Sequence, residues 1–252
     1  MSSQTLDVTL EGGIARITFG HTSSNAMTVA LLEAVAKAID GLKNEGVSVV
    51  ILQSEGDRVF CAGANFDELL ALKTSEEATR FFNGFANVIL AIRRCSAIVL
   101  GRIQAKAVGG GVGLIAACDY AMATEDASIK LSEIGIGIAP LVIEPAVSRK
   151  IGVGAMAEFA IHPKDWKTAK WAHENKLYQS VYESISHLDQ AVDALARELS
   201  NCNPEALAAL KISLWEGTEH WEALLGKRAE ASGKLALSDR AQQIISDFKN
   251  RS

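Results

Sequence analysis

The feature that most constrains the fold of this chain is a strand, a helix and a second strand in close succession. Ile14–Phe19 is a short β-rich run after the turn signal Gly12-Gly13, and the apolar residues of Leu31–Leu42 recur at helical spacing. Val47–Leu52 then has the composition of a buried strand. Such a succession forms a βαβ crossover, which places the two strands parallel in one sheet.

The same alternation continues along the chain. The further predicted elements are a helix over Glu76–Arg94, a strand over Ala97–Ile103, a helix over Val112–Ala117 and short strands over Tyr120–Ala123 and Ser128–Leu131. From about Asp189 the strand signal disappears and helical patterns follow, one of which starts at Pro204, a favourable first residue of a helix. We therefore predict an α/β core over residues 1–185 and a helical C-terminal region over residues 186–252 that packs on the core or takes part in oligomerisation.

The composition is that of a globular protein. Hydrophobic residues make up 48% of the chain and charged residues 22%, which suits one domain with a sizeable core. The longest apolar runs fall far short of the roughly 20 residues that a membrane-spanning helix requires. The first residues contain neither the basic patch nor the apolar run of a signal peptide, so the predicted location is cytoplasmic and no membrane partner is expected.

The charge of the chain and the spacing of its cysteines and histidines argue against a nucleic-acid-binding protein and against a metal-binding protein. The net charge is −5 and lysine and arginine form no cluster, so no nucleic-acid partner is expected. The four cysteines and five histidines lack the spacing of a zinc site, so neither a metal nor a disulfide framework is predicted.

Two loops combine small residues with the start of a helix. RVFCAGANFDELLAL, at residues 58–72, ends a strand, turns through Ala62-Gly63-Ala64 and enters a predicted helix capped near Asn65. AVGGGVGLIAACDY begins at Ala107 and enters the helix predicted over residues 112–117. In both loops the small residues follow the carboxyl end of a strand, where parallel sheets tend to bind ligands.

The chemistry of these loops follows from their backbone. The first N–H groups of a helix lack internal partners, and the positive end of the helix dipole favours negative charge. Absent side chains let a substrate oxygen reach these N–H groups, so two such loops predict an oxyanion hole. Tight turns with close helix packing are the alternative, whereas a phosphate-binding loop is disfavoured because GGGVG lacks the pattern of a P-loop.

Three motifs occur in an order and spacing that resemble the crotonase superfamily, the enoyl-CoA hydratases and isomerases: FCAGANFDEL, AVGGGVGLIAACDYAMA and ASIKLSEIGIGIAP. The resemblance covers Ile14–Gly154 and extends more loosely to the C-terminus. It implies a spiral of ββα turns, a homotrimer or hexamer, and an acyl-CoA or enoyl-CoA thioester whose carbonyl lies between two backbone N–H groups. Coenzyme A is then part of the substrate, and no separate cofactor is implied.

The resemblance also assigns site residues by motif position. The two backbone donors are those of Ala64 and Gly110, and the segment that matches the family's later glutamate contains Glu133. The residues assigned to substrate binding are Ala62, Gly63, Asn65, Gly109, Gly111, Gly113, Asn25 and Ala26. Lys249 and Arg251 either contact a phosphate of coenzyme A or form a solvated basic end of the chain.

One departure from the hydratase pattern bears directly on the chemistry. Hydratases of this family carry two glutamates, and the first position is Gly113 here, whereas the second is Glu133. Adding water requires both activation of the water and delivery of a proton, while moving a double bond from the 3,4 to the 2,3 position needs one base. An enoyl-CoA isomerase with Glu133 as the base is therefore favoured, and its pocket should be apolar and raise the pKa of this carboxyl. Candidates for the apolar wall are Ile134, Ile136 and Ile138.

Three alternatives stay open. GIAPLVIEPAVSRKIG also resembles hydratases that act on short-chain, branched or methylglutaconyl-type thioesters, for which Glu144 is a compensating acid unless it faces solvent or a subunit contact. A non-catalytic acyl-CoA-binding relative is the second alternative. A decarboxylase or C–C bond-forming enzyme with the same enolate pocket is the third.

Overall fold

Residues 3–249, which a computed structural model describes, alternate strands with helices. The strands are β1 (Gln4–Glu11), β2 (Ile14–His21), β3 (Val49–Ser54), β4 (Val59–Cys61), β5 (Ile98–Ile103), β6 (Lys106–Val108), β7 (Tyr120–Thr124), β8 (Ser128–Lys130), β9 (Lys167–Thr168) and β10 (Ser180–Tyr182). The α-helices are α1 (Val29–Gly41), α2 (Phe66–Ala71), α3 (Ser75–Arg94), α4 (Gly110–Ala117), α5 (Glu144–Ile161), α6 (Ala169–Glu174), α7 (Ile185–Ser200), α8 (Pro204–Leu214), α9 (Trp221–Ala236) and α10 (Asp239–Lys249). Arg251 and the side chain of Lys249 lie outside the described residues, so the contact predicted for them stays a prediction.

The strands form two sheets that the chain visits alternately. The larger sheet has the order β1-β2-β3-β5-β7-β10 and the smaller one the order β4-β6-β8-β9. The chain repeats one unit three times: a strand of the larger sheet, a strand of the smaller sheet and then one or two helices. The first unit contains β3, β4, α2 and α3, the second β5, β6 and α4, and the third β7, β8 and α5. The fold is therefore an α/β spiral of ββα turns, as the family resemblance implied, followed by the mainly helical C-terminal region that the sequence pattern predicted.

The βαβ prediction is confirmed at the start of the larger sheet. β2 and β3 pair in parallel, with Ile14 opposite Val49, and α1 connects them. β1 pairs antiparallel with β2 through Gly12 and Gly13, which both have positive φ. Glycine adopts this conformation at little cost, which explains the turn signal. The sequence did not predict β1, an edge strand whose apolar residues, such as Leu10, are half exposed and give a weak burial pattern.

Both faces of the larger sheet are covered. β5 is buried at every position, as expected of a parallel strand with packing on both sides. One face packs against α1 and α3 within the main core, and the other packs against α7 through Leu188, Val192 and Ala196. α3 starts with a capping box in which Thr74 and Glu77 each accept a hydrogen bond from the other's backbone N–H.

The predicted helices are found close to their expected bounds. Those over residues 31–42, 76–94 and 112–117 correspond to α1, α3 and α4, and the last strand precedes α7. The sequence did not predict α5. Its glycines interrupt the helical pattern, and Gly152, with a φ of 76°, divides the helix at a kink.

The C-terminal helices share the core of the α/β part. α9 packs so closely on α3 that a Cβ on Gly233 would lie 3.1 Å from the Cβ of Ala78. α8 is anchored by a buried ion pair, in which the Lys211 ammonium lies 2.8 Å from the Asp119 carboxylate, and Trp215 donates to the same carboxylate at 2.7 Å. The predicted domain boundary and the role in oligomerisation stay predictions. Among the helices of residues 3–249, none is long and apolar enough to cross a membrane.

Candidate active site

A cavity of about 910 Å³ lies where β4, β6 and β8 end. These strands are parallel neighbours in the smaller sheet, so their carboxyl ends meet at one edge. The apolar lining consists mainly of Phe82, Phe85, Ile136, Ile138, Leu141, Val142, Ile143 and Ile244. The charged residues of the lining are Asp67, Lys130, Glu133, Lys164 and Asp247. Both small-residue turns reach this cavity.

In the first turn, Ala62 to Asn65, one backbone donor has no partner within the described part of the chain. Three of its N–H groups donate within the protein: Ala62 to the Ser24 carbonyl at 3.1 Å, Gly63 to the Cys61 sulfur at 3.4 Å and Asn65 to the Met27 carbonyl at 3.0 Å. The N–H of Ala64 has no acceptor among residues 3–249, and Ala64 lines the cavity. The Asn65 side chain accepts from the N–H of Glu68 at 3.1 Å, which confirms the predicted cap of α2.

In the second turn, two backbone donors have no partner among the residues that the structure describes. The paired N–H groups are those of Gly109, to the Lys130 carbonyl at 2.8 Å, and of Val112 and Gly113, to the Gly109 carbonyl at 2.8 and 3.4 Å. Gly110 and Gly111 start α4, and their N–H groups have no acceptor within the described part of the chain. Of these two residues, Gly110 lines the cavity, whereas a Cβ on Gly111 would lie 2.7 Å from the Cβ of Cys61.

Close packing requires glycine in both turns. Gly63 has a φ of +87°, and a Cβ there would lie 2.9 Å from the Val108 carbonyl oxygen and 3.8 Å from the nitrogen of Gly110. The two turns are therefore in contact. A Cβ on Gly110 would lie 2.6 Å from Cζ of Phe85, so a side chain at this position would displace the ring. The absence of both side chains lets the turns and the ring enclose one small region of the cavity.

Glu133 contributes a buried carboxyl to the same cavity. It is 9% exposed, and its Oε2 has no hydrogen-bond partner among residues 3–249. Burial raises the pKa of Glu133 from 4.5 to about 7, although the N–H groups of Glu133 and Ser132 lower it in part. A Cβ on Gly109 would lie 2.8 Å from Oε1, so the carboxyl lies beside the second turn. This group can therefore accept or donate a proton near neutral pH, next to the unpaired N–H of Gly110.

Gly113 packs against Ile143. A Cβ on Gly113 would overlap the Ile143 side chain and lie 2.5 Å from its Cβ. Ile143 lines the cavity and Gly113 does not, so an isoleucine occupies the space beside this position. A glutamate at position 113 would require Ile143 to move. The pocket is therefore apolar where the hydratase pattern has its first carboxylate.

Glu144, the candidate compensating acid, is engaged elsewhere. Its carboxylate forms an ion pair with Arg228 of α9 and accepts from the hydroxyl of Ser148 at 2.5 Å. Glu144 is not part of the cavity lining. Glu68, which follows the first turn, accepts from the N–H of Val29 at 2.7 Å and so caps α1.

The structure brings most of the predicted residues together. Those that line the cavity are Ala26, Ala62, Gly63, Ala64, Asn65, Gly109, Gly110 and Glu133. Gly111 and Gly113 instead provide close packing behind it. Asn25 is also outside the lining: its side chain donates to two backbone carbonyls and accepts from one backbone N–H, so it holds its own turn in place.

The sequence did not predict several residues of the cavity lining. Phe82 and Phe85 lie three positions apart on α3, and this helical spacing could have indicated a shared face. Nothing in the sequence linked Ser232 of α9 to the site. Of the three isoleucines predicted as walls, two line the cavity, whereas Ile134 is half exposed and does not.

Comparisons with known proteins identify the family. The family model described as enoyl-CoA hydratase/isomerase matches residues 9–235. A peroxisomal Delta(3,5)-Delta(2,4)-dienoyl-CoA isomerase of Arabidopsis thaliana is 28% identical over 88% of this chain and 84% of that protein. The mitochondrial methylglutaconyl-CoA hydratase of Mus musculus is 30% identical over 77% of this chain and 63% of that protein.

A solved structure agrees with this assignment. The crystal structure of an enoyl-CoA hydratase from Mycobacterium avium has a TM-score of 0.84 and 27% identity, and the match covers 98% of this chain and 96% of that one. This likeness confirms the crotonase-like fold that the three motifs implied. Because the family match spans most of its length, the chain belongs to the enoyl-CoA hydratase/isomerase family of the crotonase superfamily.

Proposed function

We propose that the protein is an enoyl-CoA isomerase, with Glu133 as its single base and the N–H groups of Ala64 and Gly110 as its oxyanion hole. The observation that carries the proposal is the difference between position 133, a buried carboxyl in the cavity, and position 113, a glycine packed on Ile143. One carboxyl is sufficient to remove a proton from one carbon and return it to another. The likeness to the dienoyl-CoA isomerase of A. thaliana supports this choice.

In the proposed reaction, the Glu133 carboxylate removes a proton from C2 of a 3-enoyl thioester. The electron pair of the C2–H bond enters the conjugated system, and negative charge develops on the thioester oxygen. The N–H groups of Ala64 and Gly110 stabilise this charge, and a single donor of this kind contributes about 3 to 4 kcal/mol. The protonated carboxyl then returns the proton to C4, so the double bond moves from the 3,4 to the 2,3 position with no net change in atoms. No cofactor beyond the coenzyme A of the substrate is needed.

The surroundings of the carboxyl suit this role. With its pKa raised to about 7, Glu133 is a stronger base than an exposed glutamate and is still substantially ionised near neutral pH. The rings of Phe82 and Phe85 and the side chain of Ile143 give the cavity an apolar wall. Such a wall slows the exchange of the Glu133 proton with solvent relative to its transfer to C4, so exchange is seen over many turnovers and not within one.

A hydratase of short-chain or methylglutaconyl-type thioesters is the second candidate. The 30% identity to the mouse methylglutaconyl-CoA hydratase favours it. It requires a second group to hold and activate water. The ion pair between Glu144 and Arg228 argues against Glu144 in this role.

Two thioesters separate these candidates. With a trans-3-enoyl-CoA, an isomerase forms the conjugated 2-enoyl thioester and its absorbance rises. With crotonyl-CoA, a hydratase consumes the conjugated bond and the absorbance falls. We expect the rise and no fall; loss of crotonyl-CoA at a rate comparable to isomerisation contradicts the proposal and supports the hydratase.

Exchange of α-protons tests the enolate chemistry directly. An acyl-CoA incubated with the protein in deuterated water should gain deuterium at C2, and Glu133→Gln should abolish this gain. Tight acyl-CoA binding without exchange would identify a non-catalytic acyl-CoA-binding protein. Release of CO₂ from a carboxylated acyl-CoA would identify a decarboxylase.

We also propose that the protein is a cytoplasmic homotrimer or hexamer to whose assembly the C-terminal helices contribute. Large apolar side chains are exposed on the single chain along α5 and α8: Val153, Ile161, Leu210, Ile212 and Leu214. Exposed apolar surface of this kind is typical of interfaces. Sedimentation equilibrium measures the assembly, and a monomer at micromolar concentration contradicts it. Cell fractionation tests the location.

A further inference from the structure

One end of the cavity is positively charged, and the proposed reaction makes no use of it. Lys130 and Trp166 belong to the cavity lining there. The Lys130 ammonium lies 5.5 Å from the centre of the Trp166 ring, and the Lys106 ammonium lies 5.7 Å from the centre of the same ring. Both distances are within the range of cation–π attraction, so the ring holds the two ammonium groups near each other.

The register of the smaller sheet accounts for this arrangement. Lys130 of β8 pairs with Val108 of β6, so their side chains lie on one face of the sheet. Lys106 precedes Val108 by two residues in the same strand and therefore lies on that face as well. β9 runs antiparallel beside β8, which places Trp166, the residue before β9, next to Lys130. Val108 also lines the cavity, so this face of the sheet continues the cavity wall.

Neither lysine has a counter-charge in the described part of the chain. The ion pairs of residues 3–249 include neither Lys106 nor Lys130. Lys164, a third lysine of this region, lines the cavity, is exposed and is likewise absent from these pairs. Like charges that are held close together repel each other, and an anion beside them offsets the repulsion. This end of the cavity therefore favours an anionic group.

The position of Glu133 directs the acyl chain toward these lysines. In the proposed reaction this carboxyl faces C2, so the acyl chain leaves the thioester carbonyl on the Glu133 side. Glu133 follows Lys130 by three residues and lies beside Gly109, whose N–H donates to the Lys130 carbonyl at 2.8 Å. A chain that extends beyond the reacting carbons therefore approaches the lysine end of the cavity.

Resting on the proposed function, we infer that Lys130 and Lys106 bind a carboxylate at the far end of the acyl chain. The substrate class is then an enoyl-CoA thioester of a dicarboxylic acid. A chain that ends in a methyl group leaves both ammonium groups without a counter-charge, so the site discriminates against it.

The exposure of this end suits a charged ligand. Trp166 is 45% exposed, so the lysine end of the cavity opens to solvent. A carboxylate there retains part of its hydration and gains two counter-charges, whereas the same group among the apolar side chains of the wall would be buried without one.

Paired substrates test this inference. The panel contains trans-3-enoyl-CoA thioesters of six, eight and ten carbons, each with a counterpart in which a carboxylate replaces the terminal methyl group. At one or more chain lengths, kcat/KM for the carboxylated thioester should exceed that of its alkyl partner by about tenfold, as expected for a hydrogen bond to a charged group.

Three variants assign this preference to the lysines. Lys130→Met keeps the apolar stem but not the charge, and it should lower the ratio of kcat/KM for carboxylated to alkyl thioester by about the same tenfold factor. Lys130→Arg retains the charge and should retain most of the preference. Lys170→Met is the matched control, because it removes an exposed lysine outside the cavity lining, and it should leave the ratio unchanged.

Ionic strength gives an independent readout. Salt screens the attraction between a carboxylate and partly exposed ammonium groups, so the preference should fall as sodium chloride is raised from about 0.05 to about 0.5 M. Lys130→Met should lose most of this salt dependence. A merely structural role of Lys130 would lower the melting temperature without moving the ratio or its response to salt.

The phosphates of coenzyme A are the other anionic groups of the substrate, and a change of carrier separates them from the carboxylate. N-acetylcysteamine thioesters carry the same acyl groups and no phosphate. We expect the preference for a carboxylate, and its loss in Lys130→Met, with both carriers. If Lys130→Met instead slows alkyl and carboxylated CoA thioesters alike and neither N-acetylcysteamine thioester, the lysines bind a phosphate and the inference is overturned.

Failure of the inference and failure of the proposed function are distinguishable. If alkyl thioesters are isomerised with no preference for carboxylated ones at any length, or if Lys130→Met leaves the ratio unchanged, the inference is overturned and the isomerase proposal stands. If no thioester is isomerised and none exchanges its α-protons, the proposed function is wrong and the inference falls with it.

Discussion

Two parts of the same cavity wall differ in their chemical character: one carries a carboxyl group and the other is apolar. At position 133 a carboxyl is buried beside the second glycine turn and its pKa is raised to about 7. At position 113 a glycine packs on Ile143, which occupies the space that a side chain would need. The motif alone indicates that a carboxylate is missing. The packing adds that the Ile143 side chain fills the place of that carboxylate, which supports the proposed reaction with one base.

The largest effect is expected at position 133. Glu133→Gln keeps the shape of the side chain but cannot accept a proton, so isomerisation of a trans-3-enoyl-CoA should slow by about 10²- to 10⁴-fold. Absorbance of the conjugated product measures the rate. Acyl-CoA binding should persist as a control for folding, and activity within tenfold of the wild type would remove Glu133 from the mechanism.

The same carboxyl should reduce stability as the pH rises. Its pKa is about 7 in the folded protein and about 4.5 in the unfolded chain, so the neutral form favours folding. This contribution is complete below pH 4.5 and is lost as the pH rises through about 7. Relative to Glu133→Gln, the wild type should lose on the order of 3 kcal/mol of unfolding free energy between these limits.

Urea denaturation of both proteins at pH 5, 6, 7 and 8 measures this difference. Comparison at each pH cancels the titration of all other groups, together with the fixed cost of burying the glutamine amide. A difference that does not change with pH would mean that the pKa is not raised.

The filled space at position 113 can be probed by a double-mutant cycle. Gly113→Glu alone should destabilise the protein by about 1 to 3 kcal/mol, because the new side chain overlaps Ile143. Ile143→Gly alone leaves a cavity, and the double variant fills it, so the two changes should couple favourably by about 0.5 to 3 kcal/mol.

Crotonyl-CoA hydration is the functional readout of the same cycle. It should appear in the double variant and in neither single variant. Additive stability effects would show that positions 113 and 143 do not share one space, and the contrast between the two parts of the wall would be lost.

The pH dependence of activity should follow Glu133. Since the base must be ionised, kcat/KM for isomerisation should fall about tenfold per pH unit below a pKa near 7 and level off above it. Initial rates from pH 5 to 9 at low substrate concentration give the profile. A profile that is flat from pH 5 to 7 would contradict Glu133 as the base.

The smallest effect is expected for Glu144→Gln, which is the matched control for Glu133→Gln. The change weakens a partly exposed ion pair with Arg228, and such pairs contribute about 1 kcal/mol or less. Isomerisation should change by less than about threefold, the equivalent of about 0.7 kcal/mol in the activation free energy. A loss comparable to that of Glu133→Gln would make Glu144 the second acid and favour the hydratase.

The sequence by itself determined the local features of the structure: the main helices and strands, the turns and one helix cap. Alternating strand and helix patterns predicted α1, α3 and most strands, because hydrophobic periodicity reports which face of an element is buried. The small-residue turns, the cap at Asn65 and the glycine at position 113 were equally visible. The helix α5 could not be predicted in this way, because Gly152 and the glycine two residues later interrupt the helical pattern of its sequence. In the folded protein the helix continues past Gly152 with a kink.

Only the tertiary structure decided how these parts combine. It paired the N–H of Asn65 and left that of Ala64 without an acceptor among residues 3–249, placed Ile143 against Gly113, and brought Ser232 into the cavity lining. Hydrogen-bond pairing, steric space and desolvation depend on which distant residues become neighbours. That information is a property of the packed chain, and no stretch of sequence contains it.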